Sequence, residues 1–151
     1  MKKFFLIDDD TDDIGLFKEA ISELNDSIML QSATNGQDAM DKLNRGEVEN
    51  PDVIFLDINM PVMNGWQFLL ALKENPQYKH IPVIVFSTSL NQTDVDRALT
   101  LGALCFFSKP DDYSRLKEIV SVIAQNSNAQ DILRAIEKFS SIKARQVFAC
   151  A

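Results

Sequence analysis

Short, almost wholly apolar runs recur along the chain at residues 4–7, 28–30, 53–56, 83–86 and 104–107. They have the length of strands and mostly lack polar alternation, as do strands of a parallel sheet covered on both faces. Between them the apolar positions step by three and four, as at Ile14, Phe17, Ile21 and Leu24 and again at Leu116, Ile119, Val120 and Ile123. These stretches are predicted to be amphipathic helices. Asn64, Asn91 and Asp111 stand just ahead of periodic stretches, where N-caps belong. The order is strand then helix, repeated five times within residues 1–125. Such alternation with short connections implies an α/β fold with a parallel sheet and right-handed crossovers. In open sheets of this kind ligands bind beyond the carboxyl ends of the strands, so the residues that follow each run are the place to look for chemistry.

Residues 126–151 leave this rhythm and are read as a C-terminal helical extension to a domain over 1–125. Asn126-Ser127-Asn128 is a break, and Ile132, Leu133, Ile136 and Phe139 then form an apolar stripe at helical spacing. The stripe has three uses open to it: packing on the chain's own surface, a homodimer seam, or docking of a partner. Packing back is favoured, because an exposed apolar stripe invites association.

Composition narrows the function. The chain has 151 residues, with 15 Lys+Arg against 22 Asp+Glu and a net charge of −7. Its length suits one domain with a real core. A net acidic chain has no basic excess to neutralise phosphates, which argues against nucleic-acid binding, and residues 126–151 are too few for a winged helix. No run approaches the ~18 apolar residues of a membrane span, and the apolar start is too short for a signal peptide. The expectation is a cytoplasmic protein without membrane contact. Cys105 and Cys150 are far apart in sequence and lack metal-ligand partners. They are read as free thiols in a reducing compartment, Cys105 as a small core residue and Cys150 at a mobile terminus.

The candidate chemistry sits where the fold says to look. Asp8-Asp9-Asp10-Thr11-Asp12-Asp13 follows the first run, Asp57 the third, Ser87-Thr88-Ser89 the fourth, and Ser108-Lys109-Pro110 the fifth. The parallel sheet would bring all of them to one edge. Asp8, Asp9 and Asp57 would crowd negative charge into one cleft, which raises a pKa or requires a cation. Few, hard carboxylate oxygens with water free to complete the shell suit Mg²⁺. A carboxylate beside a divalent cation, the Lys109 ammonium and the Ser87 hydroxyl can act as nucleophile toward phosphorus, with the product's oxygens neutralised by metal and ammonium. The turn at Asn59-Met60-Pro61 and Asn64-Gly65 can offer a carbonyl to the metal and N–H groups to phosphoryl oxygens. Asp12 and Asp13 are read as first-turn helix acids favoured by the macrodipole. His80, the one histidine, is read as a loop residue.

With these residues in place, the chain resembles the receiver domains of two-component response regulators over about residues 2–125. The resemblance implies a flavodoxin-like (βα)5 doubly wound sheet of strand order 2-1-3-4-5. It implies that Asp57 is the phosphoacceptor, within Phe55-Leu56-Asp57-Ile58-Asn59-Met60-Pro61-Val62-Met63-Asn64-Gly65. Asp9 is then the direct Mg²⁺ ligand, Asp8 acts through water, and Asn59 supplies its backbone carbonyl. Ser87 is similar to the switch hydroxyl and Lys109 to the phosphate-binding lysine, with Lys109-Pro110 expected to be cis. Phe106 takes the place of the switch aromatic, expected to turn from solvent toward the core when the Ser87 hydroxyl is drawn to the phosphate. The alternative is a plain core residue of the fifth strand, and alternation does not decide between them because residues 104–107 are apolar throughout. The surface of residues 91–125 would then change its affinity for an unknown output protein. The implied donor is a histidine on a sensor histidine kinase or a histidine phosphotransfer protein. The protein would be a stand-alone signalling receiver and not an enzyme, apart from self-phosphotransfer and auto-dephosphorylation.

Four positions bear on how the chain departs from the family's usual pattern. Phe106 replaces the commoner tyrosine and lacks its hydroxyl, Thr88 replaces alanine beside Ser87, and Asn59 and Ser89 occupy positions that tune hydrolysis of the aspartyl phosphate. Other readings fit less well. An EF-hand counted from Asp8 has Asp13 where the sharp turn needs glycine. A Mg²⁺-dependent phosphohydrolase with an aspartate nucleophile wants Thr or Val where Asp12 stands, and a flavin-binding loop would be repelled by five carboxylates. A receiver-like module that binds partners without phosphorylation would be expected to lack Asp9, Asp57 or Lys109, and all are present.

Overall fold

The computed structural model describes residues 2–24, 27–88, 91–142 and 147–150, with backbone alone for 140–142 and 147–150. Strands β1 (Lys2–Ile7), β2 (Ile28–Ala33), β3 (Val53–Leu56), β4 (Val83–Ser87) and β5 (Cys105–Ser108) alternate with α1 (Thr11–Ser22), α2 (Gly36–Asn44), α3 (Gly65–Glu74), α4 (Gln92–Thr100) and α5 (Tyr113–Ala124). After α5 come α6 (Ala129–Ile142) and β6 (Val147–Cys150). The sheet order is β2-β1-β3-β4-β5-β6, with the first five strands parallel and β6 antiparallel to β5. The order 2-1-3-4-5 expected from the resemblance is present, and a sixth strand extends it. No helix among the described residues is long and apolar enough to cross a membrane.

The absence of polar alternation in the strands has a direct structural cause. Phe5, Ile7, Ile54, Leu56, Val83 and Val85 face one core cluster, whereas Phe4, Leu6, Val53, Phe55, Ile84 and Phe86 face another. Successive side chains point to opposite faces, and here both faces are buried. The first cluster is closed by α2, α3 and α4 through Ala39, Leu43, Phe68, Leu69, Leu72, Val95 and Ala98. The second is closed by α1 and α5 through Ile14, Phe17, Ile21, Ile119, Val120 and Ile123. Strand β2 runs three residues beyond its apolar run, to Ala33; as an edge strand it carries the polar Gln31 and Ser32.

Local signals set most helix starts. Asn64 caps α3 with a reciprocal capping box to Gln67, and Asn91 caps α4. At α5 the cap is Asp112, not Asp111: the Asp112 carboxylate accepts the Ser114 N–H at 2.9 Å.

The C-terminal extension is helix and strand, not helix alone. Ile132 and Ile136 of the apolar stripe are buried in the second core cluster, and Leu133 and Phe139 pack partly buried against it. The stripe is therefore used within the chain, which removes the two isoleucines from any dimer seam. The reading of the cysteines is also corrected. Cys105 is disulfide-bonded, and the backbone register sets it opposite Cys150, the chain's other cysteine. Opposite residues of an antiparallel pair have Cα atoms about 4.5–5.5 Å apart, within the span a disulfide needs. Sequence separation concealed this pairing, because β6 returns to the sheet only after α6.

Candidate functional site

The carboxyl ends of β1, β3, β4 and β5 deliver Asp8, Asp57, Ser87 and Lys109 to one edge of the sheet. Backbone bonds fix the register there: the Asp8 N–H donates to Ala33 O at 3.0 Å, the Asp57 N–H to Ile7 O at 2.9 Å and the Lys109 N–H to Ser87 O at 2.8 Å. Asp8, Asp57 and Ser87 are the buried polar or charged residues among those described. Three such groups at a strand-end edge mark a site, because burial of unneeded charge is costly.

The electrostatics follow from that crowding. One carboxylate oxygen each from Asp8, Asp9 and Asp57 lies within 4.8 Å of the others, with Asp9 exposed and the other two buried. Burial pushes the Asp57 carboxyl up to about 7; the Lys109 charge opposes the rise, and Asp8 and Asp9 add to it. The Asn59 backbone N–H also bonds the Asp57 carboxylate and favours its charged form. Burial raises Asp8 as well, against the bond it accepts from the Asp10 N–H at 3.0 Å and the pull of Lys109. A cluster of hard oxygens at this separation, short of positive charge, fits a divalent cation.

Lys109 is the cation already present. Its Nζ donates to Asp8 Oδ2 and to Asp13 Oδ2, each at 2.9 Å, and lies 3.7 Å from Asp57 Oδ2. Burial by itself would lower its pKa, but the bonds to Asp13 and Asp8 and the Asp57 charge outweigh it, so the ammonium is firmly protonated. The sequence pattern of Asp13 points only to the first turn of α1. That role it also has, since Asp10 caps α1 and accepts N–H bonds from Asp12 and Asp13. A strand-end cap followed by an acid on the first helical turn was the available signal, because the helix start lies beside the same sheet edge. Asp12 is exposed and keeps the helix role alone.

Two expectations meet the structure differently. The Lys109-Pro110 peptide is trans, the intrinsically preferred isomer, and Lys109 reaches the carboxylates in that form. Phe106 is wholly buried in the first core cluster, opposite Val85 in the register, so its ring does not face solvent. A phenylalanine has no hydroxyl to hold at the surface, and the adjoining β6 covers the edge of β5. Thr88 is exposed, directly after the buried Ser87, while Ser89 lies outside the described residues. Asn59 is exposed and His80 lies in an exposed loop.

Comparison with known proteins agrees with this geometry. Residues 4–121 match the response regulator receiver domain family. The response regulator Rcp1 of Synechocystis is 33% identical over 126 residues, which span 81% of this chain and 86% of Rcp1. A probable cyclic di-GMP phosphodiesterase of Vibrio cholerae is 30% identical over 128 residues, but the match spans only 28% of that longer protein. Among solved structures, the Mn²⁺-bound form of Rcp1 superposes with a TM-score of 0.73 at 32% identity, over 82% of this chain and 91% of that one. The phosphorylated cyanobacterial phytochrome response regulator RcpA gives 0.73 at 30% identity, over 96% and 97%.

Proposed function

Since this chain belongs to the response regulator receiver domain family, we propose that it accepts a phosphoryl group on Asp57 in a Mg²⁺-dependent reaction and signals by protein contact. The observation that carries the reading is the convergence of Asp8, Asp9 and Asp57 within 4.8 Å, with Lys109 bonded against them. The phosphorylated state of RcpA and the metal-bound state of Rcp1 support the same chemistry in relatives.

The Asp57 carboxylate is the nucleophile. Its oxygen attacks phosphorus of a phosphohistidine on a sensor histidine kinase or histidine phosphotransfer protein; the O–P bond forms as the N–P bond breaks, and the imidazole leaves. Asp9 and Asp57, with the Asn59 carbonyl, would hold the cation, and Asp8 would reach it through water. When bound, the ion neutralises the carboxylates and the incoming phosphoryl oxygens. Lys109 supplies a second positive charge to those oxygens, and Ser87, buried at the end of β4, supplies a hydroxyl.

Output is assigned to the surface of residues 91–125. Here Phe106 acts through its packing under α4 and not by a swing from solvent, and β6 along β5 forms part of that surface. The reading makes the protein a cytoplasmic signalling component, with self-phosphotransfer and auto-dephosphorylation as its only reactions. Intact-mass measurement with acetyl phosphate and Mg²⁺ tests it. One phosphate should add to the wild type and none to Asp57→Asn; a wild type that stays unmodified overturns it.

A further inference from the structure

We propose that Asp13 is a positioning residue that holds the Lys109 ammonium on the Asp8 side of the site and competes for it with the incoming phosphoryl oxygens when Asp57 is phosphorylated. This rests on the phosphoacceptor reading and adds a restraint to it.

The geometry supplies the argument. An ammonium has three N–H donors. Two are spent on short bonds, to Asp8 Oδ2 and Asp13 Oδ2 at 2.9 Å each, whereas Asp57 Oδ2 stands at 3.7 Å, beyond hydrogen-bond length. Lys109 is thus bonded to Asp8 and Asp13 and not to the acceptor itself. The two restraining acids differ in kind. Asp8 is buried in the floor of the site. Asp13 rides on the first turn of α1, its side chain 36% exposed, at the end of the helix where the macrodipole stabilises a carboxylate. Its carboxylate can return to water when Lys109 leaves it, so Asp13 is the partner that can be given up.

In phosphorylation by acetyl phosphate, an Asp57 oxygen bonds to phosphorus while the bond from phosphorus to the acetyl oxygen breaks and acetate departs. The transferring group carries negative oxygens that Lys109 must meet. While Asp13 retains the ammonium, that contact is delayed. Loss of the Asp13 charge should leave Lys109 bonded to Asp8 and free to move toward Asp57.

The experiment compares wild type, Asp13→Asn, Asp13→Ser and Asp13→Glu in Mg²⁺. Phosphorylation rate is measured against acetyl phosphate concentration by intact mass, and the Lys109 ammonium signal is followed by ¹⁵N NMR. Asp13→Asn and Asp13→Ser should raise the rate at saturating donor by about three- to tenfold and move the Lys109 signal. Asp13→Glu, which keeps the charge within reach, should resemble the wild type in both. A change confined to the half-saturating donor concentration, with the Lys109 signal unmoved, would mean simple repulsion of the anionic donor and would overturn the proposal. An unchanged or slower rate in both neutral variants would overturn it too. A wild type that takes up no phosphate would instead refute the phosphoacceptor reading itself.

Discussion

A Cβ placed on Gly65 would lie 2.5 Å from the carbonyl oxygen of Asp57. The same atom would fall 2.6 Å from Ile58 Cα, and the Gly65 N–H donates to Ile58 O at 2.9 Å. The start of α3 is thus laid directly on the backbone that presents the acceptor, and these contacts are with main chain that cannot rotate aside. Gly65→Ala should destabilise the protein by about 1–3 kcal/mol, the usual range for overpacking, and should slow phosphate uptake by displacing Asp57. Denaturant melts and intact-mass kinetics check both effects; a variant as stable as its parent would contradict this account of the loop.

Val62 lies in the same loop and bears the opposite kind of strain. It is a β-branched residue at φ 66°, with 81% of its surface exposed. A β-branched side chain in left-handed backbone costs roughly 1–2 kcal/mol, and little packing is lost by its removal. Val62→Gly should therefore raise stability by about 0.5–1 kcal/mol, read from the denaturation midpoint.

The pH dependence has a definite sign. The folded-state value of Asp57, about 7, lies above its usual 3.8, because burial penalises the charged form. A raised carboxyl binds its proton more tightly in the fold than in the unfolded chain. Its contribution to stability is therefore full at low pH and is lost as pH climbs from about 4 through 7. Without metal, the thermal midpoint should fall between pH 5.5 and 7.5. Divalent cations must expel this proton, so their affinity should rise with pH up to about 7 and then level. Trp66, packed on the first core cluster with Arg97 over its ring at 4.5 Å, is a fluorescence reporter for the titration.

Neutralising the acceptor should relieve the same cost. Asp57→Asn keeps the side-chain shape and removes one charge from a cluster with three other carboxylates around Lys109 and the metal position. Calorimetry without metal should show the variant more stable at pH 7.5 by about 1–2 kcal/mol, which is a few degrees for a chain of this length. The gain should shrink at pH 5.5, where the wild-type carboxyl is protonated.

The disulfide at Cys105 ties the sheet edge to the chain end. Cross-links that close loops of tens of residues contribute about 2–4 kcal/mol. Dithiothreitol or Cys105→Ser should lower the thermal midpoint by several degrees. Equal midpoints with and without reductant would show that β6 stays on β5 without it.

The sequence alone determined the layout of the first five strands and helices, because doubly buried strands must be apolar throughout and amphipathic helices must repeat at three and four. It also placed Asp8, Asp57, Ser87 and Lys109 at one sheet edge, since each is the first polar group after an apolar run or lies one residue beyond a strand's end. These are local patterns joined by a single topological rule. Tertiary structure decided the rest. Asp13 looked complete as a helix acid until α1 was set beside Lys109, Phe106 could not be assigned to a face in a wholly apolar run, and Cys105 met the β6 register only after the chain had turned back through α6. Each depends on contacts between residues distant in the chain, where neither periodicity nor spacing carries information, and only packing fixes the partner.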